Sequence, residues 1–217
     1  MLSRVSRRTF LAGGTGLGAS LGGSARAGTK ARPAAGRFDV ERLVEDFKRA
    51  RMETDGQQAV RALLERVVSE PGAVLEGLGE PKEAGIHTLH RAPDLTVLNV
   101  VWAPLMVLLP HNHKMWATIA IYTGREDNII WQRTGPQVEA VGAASLSEKE
   151  VFDLADDAIH SVTNPVPRLT GAIHVYGGDF FAAPRSEWDS ETLRERAFDV
   201  EGLRRRFREA AARFNCQ

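Results

Sequence analysis

Apolar positions along the chain change their period once near the start and once near the end. From Phe38 to Met52 the residues Phe38, Val40, Leu43, Val44 and Phe47 fall near one face of a helix, with charges on the remainder. Asp39 stands where an N-cap is wanted. A second helical run spans about Gln57 to Ser69, with Val60, Leu63, Leu64, Val67 and Val68 apolar, and Glu70-Pro71-Gly72 stops it. A short helix about Ala73 to Leu78 is predicted next. From Gly85 the pattern turns to short β-branched and aromatic runs separated by turn residues. The runs are Thr96–Trp102, Leu105–Leu109, Met115–Tyr122, Asn128–Arg133, Val138–Val141, Ile159–Thr163 and Ala172–Tyr176. Ala103-Pro104, Thr123-Gly124 and Thr134-Gly135-Pro136 punctuate them. Many short strands at regular spacing predict a sandwich or barrel. Helical spacing returns over Val200 to Phe214, with Leu203, Phe207, Ala210, Ala211 and Phe214 on one face.

Composition narrows the function classes. Lys+Arg and Asp+Glu are both 28 in 217 residues, a formal net charge of +0, with basic and acidic residues interspersed. Nothing in that balance points to a nucleic-acid partner. An apolar fraction of 43% suits one globular core. A single cysteine, Cys216, rules out an internal disulfide framework and any cysteine-rich zinc site.

The first residues read as an address. Ser6-Arg7-Arg8-Thr9-Phe10-Leu11 resembles a twin-arginine export signal, a mildly apolar stretch follows to Gly23, and Ala25-Arg26-Ala27 offers small residues for cleavage. The resemblance implies passage through the twin-arginine export machinery to the periplasm, folded and already carrying its metal. Residues 28–37 read as a flexible linker. The expected organisation is therefore signal 1–27, linker 28–37, N-terminal helices 38–84, barrel 85–181 and C-terminal helical extension 182–217.

Candidate chemistry sits in the histidines. Pro110-His111-Asn112-His113 sends two imidazoles to one side of a strand, because strand side chains alternate. His160, in Ile159-His160-Ser161-Val162-Thr163-Asn164, supplies a third. Three neutral nitrogen donors with positions left open suit a catalytic divalent metal, and imidazole accepts iron, zinc, copper or nickel. His174 is an alternative third ligand. Trp102, Trp116 and Trp131 are candidates to line a substrate pocket, with core packing as the competing role. Asn164 reads as a turn stabiliser.

Helices first, then a barrel carrying His-x-His and a later His-x-x-x-Asn, resemble the cupin superfamily, and within it the thiol dioxygenases of the cysteine dioxygenase type. Val100-Val101-Trp102 before the His-x-His, Trp116 after it, Thr123-Gly124 at the next hairpin and Ile173-His174-Val175-Tyr176 carry the likeness. The resemblance implies a mainly β fold, the cupin double-stranded β-helix or jelly-roll barrel, flanked by helices. It implies ferrous iron held by His111, His113 and His160, other divalent metals being alternatives. It implies His174 and Tyr176 as catalytic residues beside the metal, and a small thiol and O2 as substrates, with both oxygen atoms inserted into the sulfur. No acid stands at Met115 to Thr118, where most cupins place a carboxylate ligand, in keeping with a three-histidine site. Three departures qualify the match. Gly85 or Ile86 stands where the family has its carboxylate-binding arginine, with Arg91 nearby at a different position, so the expected substrate is a small thiol without the usual arginine-bound carboxylate. Ala172 replaces a relay serine. Ala117 or Thr118 replaces the cysteine that some members crosslink to tyrosine. The competing readings are another metal-dependent cupin enzyme, an isomerase or a different dioxygenase, and a non-catalytic cupin that binds metal or a small ligand.

Overall fold

The computed structural model describes residues 38–215, with Asn215 known by its backbone alone. The signal and linker expected over residues 1–37, and Cys216, lie outside the described residues. The elements in chain order are α1 (Val40–Ala50), α2 (Gly56–Val68), α3 (Pro71–Leu78), β1 (Gly85–Ala92), β2 (Leu95–Trp102), β3 (Val107–Asn112), β4 (Ala117–Thr123), β5 (Arg125–Thr134), β6 (Gln137–Ser147), β7 (Val151–Leu154), β8 (Ile159–Thr163), β9 (Thr170–Tyr176), β10 (Ser186–Trp188), β11 (Glu195–Ala197) and α4 (Val200–Asn215).

The strands form two antiparallel sheets, ordered β1-β2-β9-β4-β7 and β11-β10-β3-β8-β5-β6. Strands β2 to β9 alternate between the sheets in pairs that give β2-β9-β4-β7 facing β3-β8-β5-β6, which is the strand order of a jelly roll. β1 extends one sheet, and β10 with β11 extends the other. The sequence expectation of a mainly β jelly-roll barrel with helices before and after it is met.

Period-two alternation divides the first sheet into two apolar faces. Leu98, Val100 and Trp102 of β2, Ala117, Ile119 and Ile121 of β4, and Ala172 and Tyr176 of β9 turn into the barrel. Leu95, Val97, Ala120, Tyr122, Ile173 and Val175 turn outward, where Leu43 and Phe47 of α1, Val60, Leu64 and Val68 of α2 and Val74 of α3 cover them. β2 is therefore buried along its whole length. Asp39 caps α1 by accepting from the Arg42 amide at 3.0 Å, as its position in the sequence suggests. Asp55 caps α2 in the same way at 3.2 Å, and Pro71 opens α3.

Several boundaries move. β3 starts at Val107, because Leu105 takes a positive φ in the turn before it, and the strand runs on through Pro110 to Asn112. Pro110 has no N–H for the ladder, and the β3–β8 register shifts between Leu108 and His111. The β5–β6 hairpin is longer than the hydrophobic runs Asn128–Arg133 and Val138–Val141, since its outer part is polar or small. Gly124 takes φ +85 where β4 hands over to β5, and a Cβ there would lie 2.2 Å from the Thr170 hydroxyl. Asn164, fully buried, ties the loop before β9. Its amide donates to the carbonyls of Ala103 and Arg168, and its oxygen accepts from Thr170.

Candidate metal centre

β3 and β8 are paired neighbours, with His111 directly opposite His160. His113 follows just past the end of β3 and turns its ring to the same side, while Asn112 between them points away and accepts from the Ser186 amide at 2.9 Å. The His113 Nε2 lies 3.2 Å from His111 Nε2 and 3.3 Å from His160 Nε2. Donor nitrogens 2.0–2.1 Å from an ion stand about 3.3 Å apart in tetrahedral geometry and about 2.9 Å apart at right angles. One donor atom of each ring lies within 4.8 Å of the others. The rings are held in place from behind. His111 Nδ1 donates to the Leu109 carbonyl at 2.8 Å, and His160 Nδ1 donates to Asn128 Oδ1 at 2.7 Å. Those bonds put the protons on Nδ1 and leave lone pairs on Nε2, the tautomer a metal needs.

Electrostatics agree. All three rings are buried. Burial first, and the positive charge of Arg185 next, push His111 down to about 3. Burial, followed by the neighbouring imidazoles, holds His113 and His160 well below the ordinary value of 6.5. All three rings are neutral at neutral pH, the form in which imidazole can bind a metal. The unfolded chain, by contrast, binds protons at these positions as the pH falls below about 6.5, while the folded metal-free chain does not. Stability of the metal-free protein should therefore fall as the pH is lowered through that window, by up to ~1.4 kcal/mol per pH unit for each histidine. Urea unfolding of metal-free protein at a series of pH values measures this. A stability that is flat from neutrality to about pH 5 would contradict the buried neutral triad.

The triad opens onto a cavity inside the barrel, walled by Ile86, Leu98, Val100, Trp102, Leu108, Val162, Tyr176, Phe180 and, from α4, Leu203 and Phe207. Trp102 and Phe207 pack with ring centroids 5.2 Å apart, so the C-terminal helix forms part of the wall. His174 and Tyr176 stand beside the triad. Tyr176 OH lies 3.0 Å from His174 Nδ1, and its ring meets His113 edge-on at 5.0 Å. Burial raises the Tyr176 phenol above its ordinary value, so it stays protonated. His174 stands outside the cluster formed by His111, His113 and His160.

Two of the three candidate pocket tryptophans are elsewhere. Trp116 packs on the helix-covered face, against Gly177. Trp131 packs with Val138, Ile159 and Trp188, and its indole donates to Ser161 at 2.9 Å. Both follow from side-chain parity: Trp116 lies in the link before β4, and Trp131 is one residue out of step with Glu126, Asn128 and Ile130, which face inward along an unbroken β5. Trp102 does line the cavity.

The largest correction concerns the arginine. Ile86 is an apolar wall residue, and Arg91 is engaged at the surface with Asp179 at 3.0–3.1 Å. The site nevertheless has an arginine, reached from the other side. β10 pairs with β3 through Glu187 and His111, which brings Arg185 next to the triad. Its guanidinium lies between the rings of Phe180 and Phe198, 3.9 and 3.8 Å from their centroids. Those two rings also touch His113 and His111. Arg185 is 5% exposed, and among the described residues none of its three side-chain nitrogens has a hydrogen-bond partner. Burial lowers it to about 10, which still leaves it charged at neutral pH. A buried unpaired cation is costly and calls for an anion. Sequence reasoning also missed Glu126 and Asn128, which face inward from β5 behind His160. Their alternation in Arg125-Glu126-Asp127-Asn128 was legible, but it does not say which face turns in. Asp156 and Asp157 lie exposed in the turn before β8.

No protein-family model matches the chain, and no curated protein matches it. Solved structures do resemble it over about half its length. An uncharacterised conserved protein with a double-stranded β-helix domain from Klebsiella pneumoniae has a TM-score of 0.40 at 14% identity, covering 50% of this chain and 83% of that one. An RmlC-like cupin family protein from Methanocaldococcus jannaschii gives 0.39 at 9%, covering 48% and 87%. The DMSP lyase DddQ from Ruegeria pomeroyi gives 0.38 at 15%, covering 46% and 50%. On its own strand order, the described chain has the double-stranded β-helix fold of the cupins, with a buried three-histidine cluster inside it that could hold a metal ion.

Proposed function

We propose that this protein is an exported, iron-dependent thiol dioxygenase-like enzyme acting on a small thiol that carries a carboxylate. The observation that carries the reading is the all-imidazole triad lying beside a buried, unpaired Arg185. A ferrous ion held by three neutral ligands keeps its full charge and would offer open positions for a thiolate and for dioxygen. The chain's own groups divide the remaining work. Arg185 offers a planar fork for a carboxylate, a geometry that lysine cannot supply. Its position next to the triad would hold the thiol end of the substrate beside His111, His113 and His160 while the carboxylate turns towards Phe180 and Phe198. Tyr176, protonated and bonded to His174, presents a hydroxyl on the cavity side of His113 that can hold a proton near the reacting sulfur and oxygen. Leu98, Val100, Leu203 and Phe207 exclude water from the cavity. The balanced reaction takes a thiol and O2 to a sulfinic acid, with both oxygens retained.

The test is oxygen uptake by ferrous-loaded protein with a panel of short thiols. Uptake should require a thiol, and mercaptocarboxylates should outperform aminothiols of the same length. No uptake with any thiol, together with zinc or nickel in protein isolated from its own compartment, would favour another cupin activity. Tight metal binding without turnover of any substrate would favour a binding protein.

A further inference from the structure

Glu126 is enclosed with no exposure, on the inward face of β5, while its neighbours Arg125 and Asp127 pair with each other at the surface at 2.7 Å. One of its oxygens accepts from Trp102 Nε1 at 2.7 Å, and the other accepts from Asn128 Nδ2 at 3.0 Å. The oxygen facing Trp102 also lies 3.5 Å from His174 Nε2, which has no hydrogen-bond partner of its own among the described residues. We propose that Glu126 is a positioning residue that sets the tautomer of His160 through Asn128 and, through His174, the direction of the Tyr176 hydroxyl. The proposal rests on the triad being the metal site.

Its logic is donor and acceptor counting. Both Glu126 oxygens accept, one from Trp102 Nε1, which can only donate, and the other from Asn128 Nδ2. Asn128 must therefore turn its amide nitrogen to Glu126 and its oxygen to His160 Nδ1, 2.7 Å away. An oxygen there requires a proton on Nδ1 and leaves the Nε2 lone pair for the metal. With the amide reversed, its N–H would face His160 Nδ1, and the ring would present Nε2–H to the cluster, where no metal could be bound. On the other branch, a carboxylate oxygen beside His174 Nε2 keeps the proton on that nitrogen. His174 Nδ1 then accepts, and Tyr176 donates to it at 3.0 Å. Ala172, two residues earlier on the same face of β9, offers no hydroxyl. Packing alone would be served as well by a glutamine of the same shape. Only a carboxylate can accept on both oxygens.

The test uses Glu126→Gln in the full-length, metal-free protein. Trp102 Nε1 can only donate, so the new amide oxygen stays on that side and the NH2 faces Asn128. Asn128 should then turn over and invert His160. Nitrogen NMR of the imidazoles should find Nδ1–H at His160 and Nε2–H at His174 in the wild type, and Nε2–H at His160 in the variant. Affinity for cobalt(II), added as the metal alone, should fall about 10–100-fold. Adding Asn128→Asp restores an acceptor to both neighbours and should recover the affinity. Unchanged tautomers and cobalt(II) affinity in a folded Glu126→Gln protein would overturn the proposal. So would wild-type His174 carrying its proton on Nδ1, a measurement that stands even if the variant fails to fold. If the wild-type tautomers are as stated but no metal binds, the metal reading fails and the positioning of the two rings survives.

Discussion

Alanine at His113 should strip the protein of its metal. His113 sits between the other two ligands, with Nε2 contacts of 3.2 and 3.3 Å, so its loss leaves two donors and no closed face. Loss of an outer partner of a ligand typically costs about 10–100-fold in metal affinity, and loss of the ligand itself should exceed that. The consequence is measurable without any substrate. A metal that binds only the folded state stabilises it by about 4 kcal/mol when present at about 1,000 times its Kd. Anaerobic thermal melts should show the wild type rising in Tm on addition of ferrous ion and His113→Ala staying where it was. His174→Ala should retain the rise, because His174 bonds Tyr176 and lies outside the ligand cluster. If His174→Ala lost the metal and His160→Ala kept it, the ligand assignment would be reversed.

The second large effect separates binding from folding. Arg185→Met removes a guanidinium that is buried between two phenylalanine rings and has no acceptor. The fold gains when an uncompensated buried charge is replaced by an apolar side chain of similar length. Substrate recognition loses, because a charge-assisted pair with a carboxylate is gone. At about 3 kcal/mol for such a bond, KM for a mercaptocarboxylate should rise on the order of 100-fold, while an aminothiol without the carboxylate is affected little. Steady-state oxygen uptake on both substrates, with a melting curve of the same preparation, reads both sides. A variant that is less stable, or that loses both substrates equally, would assign Arg185 to the architecture rather than to the anion.

What could be read from the sequence follows from how local each signal is. The amphipathic face of α1, the cap at Asp39 and the stop at Pro71 are set by residues within one or two turns, and all appear where the pattern puts them. His111 and His113 share a side because strand parity needs no knowledge of the rest of the fold. His160 could be proposed as their partner, but its place opposite His111 depends on which strands pair, and that is a property of the jelly roll as a whole. Arg185 was illegible for the same reason. It stands in an irregular segment between Tyr176 and β10, with no period to assign its direction, and it reaches the triad only because Glu187 pairs with His111. Glu126 was hidden by its neighbours, since Arg-Glu-Asp-Asn reads as a solvated hairpin end. Trp116 and Trp131 show the reverse error. Nearness in sequence to a ligand, or a place in a strand, says little about direction until it is known which parity of that strand faces inward.

In the proposed reaction both atoms of dioxygen end on the sulfur of a small thiol bound beside the triad. The most direct measurement is mass spectrometry of the product formed by ferrous-loaded protein from a mercaptocarboxylate under isotopically labelled dioxygen. The expected product is a sulfinic acid with both oxygens carrying the label. Disulfide as the sole product, or sulfinate bearing oxygen from water, would contradict it.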